Sequence, residues 1–158
     1  MQILGELSQS ADDYSAVKTE IKSLKLSHIH GYRGFDCRDN LFYVNDGQAI
    51  VYHAAAAGIV LDLEKKTQSF YLEHNDDIIS LCTNEHPKFK NVIATGQIGK
   101  SASIHIWDAL TKEKYSMLTG VHNELGVCSI SFSSSGKLLV SVGLDEKYTI
   151  GVWRWKEG

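Results

Sequence analysis

From Leu24 onward, apolar and polar residues alternate in short runs that suit strands better than helices. Leu24, Leu26, His28 and His30 alternate with Lys25, Ser27 and Ile29, the two-residue period of an extended chain. Gly31-Tyr-Arg-Gly34 breaks that run. Four apolar stretches follow, at 41–44, 49–53, 58–63 and 68–72. Asn45-Asp46-Gly47 between the first two is a hairpin signal, because Asn, Asp and Gly accept the positive φ of tight turns. Four short strands with tight turns predict one antiparallel meander. Before it, Asp12 can cap a helix with Val17, Ile21 and Leu24 at i, i+4 and i+7, so residues 1–23 read as a linker or short helix.

The pattern then repeats. Glu73-His-Asn-Asp-Asp77 leads to short apolar runs at 78–82, 91–95, 103–108 and 114–118. Val121-His122-Asn123 leads to runs at 127–132, 138–142 and 149–153. His122 follows His74 by 48 positions and Trp153 follows Trp107 by 46. A period in the forties, with four short strands per unit and a His…Trp-Asp frame, marks the blades of a WD40-type β-propeller. The expected fold is therefore all-β: an incomplete propeller of about three four-stranded blades, the last lacking its final strand. Its units are 1–23, a first meander over 24–72, one repeat over 73–119 and a second over 120–158. Pro87, the chain's one proline, falls between strands, where its missing N–H does least harm.

The frame has a physical basis. A buried indole N–H needs an acceptor, which a Ser or Thr on the neighbouring strand supplies, and a His and a turn Asp extend the chain of hydrogen bonds. The second repeat offers His122, Ser141, Asp145 and Trp153. The first offers His74, Thr95 and Trp107, with Asp108 beside the Trp, but has Gly99-Lys100 where the turn Asp would stand. Arg154 follows Trp153 in place of an Asp.

Composition narrows the partners. The net charge is −3, and the basic residues form no block of the kind that grips nucleic acid or acidic lipid. The most apolar stretch, 49–61, is too short to span a bilayer. The three cysteines, Cys37, Cys82 and Cys128, lack zinc-site or disulfide-framework spacing and read as reduced thiols. Neither a metal nor a cofactor is expected.

The stretch His30-Gly-Tyr-Arg-Gly-Phe-Asp-Cys-Arg-Asp-Asn40, with Ile50-Val-Tyr-His53, His74-Asn-Asp-Asp-Ile78, Ala94-Thr-Gly-Gln97 and Ile104-His-Ile-Trp-Asp-Ala109, resembles the HELP motif and first WD40 repeats of the echinoderm microtubule-associated protein-like family. The resemblance covers roughly residues 24–158. It implies a tandem-propeller parent in which the HELP segment packs into the propeller, binding to tubulin or microtubules, and a place in the cytoplasm and cytoskeleton, cilia included. Gly31, Tyr32, Arg33, Gly34, Asp36, Cys37 and Arg38 are the HELP signature residues. Residues 1–23 show neither the coiled-coil heptads nor the basic block that many members carry. About three blades fall short of the typical four to eight that close a ring, so the chain reads as a fragment or short isoform of a longer protein rather than one that completes its ring with a partner. An open ring exposes strand edges and blade faces, which predicts low stability or self-association. The alternative function is a protein-interaction scaffold without tubulin affinity.

One motif points to an enzyme. Ala94-Thr-Gly-Gln-Ile-Gly-Lys-Ser101 relaxes the phosphate-loop pattern of a nucleotide hydrolase, with Lys100 and Ser101 placed for phosphate and Mg²⁺. The following residues, 102–107, alternate as a strand, whereas phosphate binding needs a helix N-terminus; a hairpin loop is expected. His28, His30 and His53 are the residues that a metal site would have to draw on, with no carboxylate or thiol fixed beside them. No Gly-x-Ser-x-Gly elbow accompanies the serines, and no catalytic residue is expected. Arg33, Asp36, Arg38 and Asp39 suit ion pairs and loop hydrogen bonds that lock the signature in place better than an open contact surface.

Overall fold

A computed structural model describes residues 24–122 and 125–157; the expected linker or helix over 1–23 lies outside the described residues. Among the described residues three antiparallel sheets form, each a meander in which strands pair with their sequence neighbours. The first blade is β1 (Phe42–Val44), β2 (Ala49–Ala54), β3 (Ala57–Asp62) and β4 (Gln68–Tyr71). The second is β5 (Ile78–Thr83), β6 (Val92–Gln97), β7 (Ile104–Asp108) and β8 (Lys114–Leu118). The third holds three strands, β9 (Val127–Phe132), β10 (Leu139–Gly143) and β11 (Ile150–Trp153). This is the all-β, incomplete propeller that the pattern predicts. The β1–β2 turn runs through three positive φ values at Asn45, Asp46 and Gly47 (52°, 55° and 83°), as its residue types require.

Strand alternation sorts the core into layers. On β7, Ile104 and Ile106 join a cluster shared with the third blade, including Val127, Ile130 and Leu139. Trp107 instead joins Val51, Val60 and Tyr71 of the first blade. The middle strand β6 is buried along its whole length, since Val92 and Ala94 face one neighbour and Ile93 the other. A blade sandwiched this way cannot bury its faces alone, so each sheet depends on the next.

The expected strand over 24–30 is extended chain without a ladder. Its inward residue is Ile29, packed near Tyr52 and Ile59, whereas Leu24 is 90% exposed and Leu26 44%. The alternation correctly signals extension but not the buried face. The cause is local: the Gln68 amide on β4 accepts from the Ile29 N–H at 2.7 Å and donates to its carbonyl at 3.0 Å. That one clasp does the work of a strand pair and sets which side faces in.

Candidate functional site: the blade frame and the strap

In the second blade the structure gathers His74, Thr95 and Trp107. The Trp107 indole donates to Thr95 Oγ1 at 3.0 Å, and His74 Nε2 lies 2.7 Å from the same oxygen. His74 Nδ1 meets Gln97 Oε1 at 2.7 Å. An amide oxygen only accepts, so Nδ1 carries the ring proton and Nε2 accepts from the Thr95 hydroxyl. The chain continues from the Gln97 amide to Asn75 Oδ1 at 2.6 Å. Burial is the main cause that lowers the His74 pKa to about 4, keeping the ring in the neutral form this network needs. Gln97 thus meets His74 where no turn Asp stands, a role that sequence reasoning missed.

Around this chain lies an aromatic stack joining the first two blades. Tyr71 stacks on Trp107 with centroids 4.7 Å apart and planes at 4°, and His105 stacks on His74 at 3.9 Å. His105 is hydrogen-bonded by Tyr71 Oη at 2.8 Å and Ser103 Oγ at 3.1 Å. The stack needs Gly58 on β3, because a Cβ there would sit 2.8 Å from Trp107 Cζ2. His53, also fully buried, has a hydrogen bond at neither ring nitrogen among the described residues.

In the third blade, Trp153 donates to Ser141 Oγ at 2.7 Å and His122 Nε2 lies 2.7 Å from that oxygen. Gly151 makes room, since a Cβ would fall 2.7 Å from the same hydroxyl. Asp145, expected to extend this chain, is spent elsewhere. Its carboxylate accepts from Thr149 N and Oγ1 and from Lys147 N. His122 Nδ1 has no hydrogen bond among the described residues. Asp108 likewise holds a turn, accepting from Leu110 N and Thr111 N and from Tyr115 Oη. Asp62 takes Glu64 N and Lys65 N in the corresponding turn of the first blade.

The signature residues form a strap over the first blade. Arg33 grips Asp36 through two bonds of 2.9 and 2.8 Å and reaches Asp77, in the loop entering β5, at 2.9 Å. The paired guanidinium holds the Asp36 carboxyl to about 2. Gly31 provides a bend at φ 119°, and the Gly34 N–H donates to Tyr32 O at 3.1 Å. Tyr32 Oη donates to Asn40, whose amide donates to Arg33 O at 2.5 Å. Asn40 is 2% exposed and was not singled out by the sequence pattern. Arg38 donates to Cys37 O at 3.1 Å, and Asp39 adopts a positive φ of 49°. Burial raises the thiol pKa of Cys37 and pushes that of Cys82 up to about 12; Cys37, Cys82 and Cys128 are all free.

The phosphate-loop motif is a hairpin turn. Lys100 and Ser101 lie in the turn between β6 and β7, and β7 starts at Ile104 with no helix between. The amides of Ile98 and Gly99 already donate to Asp77 O and Leu125 O, and the Asp76 carboxylate lies over Gly99, where a phosphate would be repelled. His28 and His30 contact each other with ring centroids 4.4 Å apart. Among the described residues no three His, Cys, Asp or Glu side chains gather as a metal site.

Three meanders stacked face to face, with an indole held by a Ser or Thr hydroxyl and a buried His, define WD40-type propeller blades. Matches to known families accord with this. Residues 21–59 match the HELP motif and residues 115–153 a WD domain, G-beta repeat. The latter span begins in β8 and ends with β11, so one sequence repeat straddles two blades. Over 144 residues the chain is 36% identical to the 77 kDa echinoderm microtubule-associated protein of Lytechinus variegatus, covering 86% of this chain and 21% of that protein. It is 38% identical to echinoderm microtubule-associated protein-like 2 of Homo sapiens (84% and 21%) and 34% identical to echinoderm microtubule-associated protein-like 1 of Homo sapiens (92% and 19%). The likeness to this family is thus shown along most of the chain, which spans about a fifth of the length of these curated relatives.

Proposed function

We propose that this chain is a non-catalytic propeller segment that binds tubulin or microtubules, in the cytoplasmic cytoskeleton. The observation that carries the reading is the HELP strap fused to WD40-type blades, in a chain similar to proteins named as microtubule-associated. The buried histidines support a structural role. His74 and His105 are used up within the blade, and burial lowers both pKa values, to about 4 and about 3, so neither serves as a base near pH 7. Size-exclusion chromatography with unassembled tubulin tests the reading. Co-elution is expected; separate elution of folded protein would favour a scaffold whose partner is some other protein.

A further inference from the structure

Five cations from three separate segments converge where the second and third blades meet. Lys88 and Lys90 lie in the connection between β5 and β6, on either side of Phe89, Lys137 precedes β10, and Arg154 and Lys156 follow β11. They line two clefts of about 440 and 560 Å³ that share Lys88, Phe89 and Lys156. Glu157 is the one acid among the residues lining them, in a chain whose net charge is −3. Lys90 is paired with Asp46, and Arg154 with Glu157 at 3.7 Å. Lys88 and Lys137 are exposed and have no ion pair among the described residues. The floor is rigid. Trp155 is 2% exposed, donates to Gly136 O at 2.8 Å and meets Phe89 edge to face at 5.6 Å. Its carbonyl takes the Ser116 hydroxyl at 2.6 Å.

We infer that this groove is a docking site for an extended, acidic peptide segment of a protein partner. Charge complementarity selects the occupant, because clustered cations with few local acids attract and retain a run of carboxylates. A nucleic acid fits the same charge less well, because single strands need open ring faces for stacking. Here Phe89 and Trp155 are buried, and the Lys156 ammonium lies over both rings, at 4.6 and 5.3 Å from their centroids. The inference extends the protein-binding reading above by naming the chemistry of the partner surface.

Fluorescence anisotropy with a labelled glutamate-rich dodecapeptide tests it, using the full chain, with an oligothymidylate of equal charge in parallel. Lys88→Glu with Lys137→Glu is expected to weaken peptide binding about tenfold, while Lys147→Glu, on the β10–β11 turn, leaves it unchanged. Unaltered near-ultraviolet circular dichroism of the double variant shows that the blades are intact. Absent peptide binding, equal loss in the Lys147→Glu variant, or tighter binding of the oligothymidylate would each overturn the groove. Peptide binding without tubulin co-elution would sink the tubulin reading and leave the groove standing.

Discussion

Thr95 holds the second blade's frame together through one hydroxyl, which serves both Trp107 and His74. Thr95→Val keeps the shape and strands two buried polar groups, each costing about 1–3 kcal/mol. Urea unfolding should show that loss, with Thr95→Ser retaining most of the stability. The buried rings also set a pH dependence. His53, His74 and His105 titrate at about 4, about 4 and about 3, burial being the first cause in each. The Arg33 charge adds to the effect on His53, and Lys114 to that on the other two. An unfolded histidine titrates near about 6.5, so between those values the unfolded chain binds protons that the folded chain refuses. Stability is full above that pH and falls as pH drops toward 4, by up to about 1.4 kcal/mol per pH unit for each ring. Urea midpoints at pH 7.5, 6 and 5 should decline in that order; a flat profile would mean that the rings are not held neutral. At this scale the frame residues His74, Thr95 and Trp107 were legible because their types recur at blade period. Gln97 and Asn40 were not, since a neutral amide announces nothing until a distant partner is placed against it.

The strand elements were largely legible, because blade strands alternate cleanly and their turns carry Asn, Asp and Gly. What sequence could not supply was which blade each face meets. Gly58 shows why: it reads as one more residue of an apolar run, yet its role is to admit Trp107 from the next sheet. Gly58→Ala should overpack that junction, at a cost of about 1–3 kcal/mol, and weaken the near-ultraviolet circular dichroism of the Tyr71–Trp107 stack. The strap is a second case, because a side-chain clasp has no period to detect. Gln68→Ala should abolish hydrogen-exchange protection at the Ile29 amide while the β5–β8 amides stay protected. Equal loss in both would mean that the strap and the second blade open as one unit.

The third blade presents an apolar outer surface, with Val152 67% and Ile150 66% exposed. Across the ladder they pair with Val140 and Val142. Free apolar faces of this kind associate, so light scattering should find oligomers that Ile150→Lys with Val152→Lys disperses. The cationic groove also belongs to this scale: Lys88, Lys137 and Lys156 are too far apart in sequence to read as a basic block, and the stacking of blades brings them together. Co-sedimentation of the folded chain with stabilised microtubules, at low and physiological salt, tests the central claim most directly. Pelleting that weakens with salt is the predicted result. Folded protein that stays in the supernatant at both salts, and also elutes apart from unassembled tubulin, would contradict it.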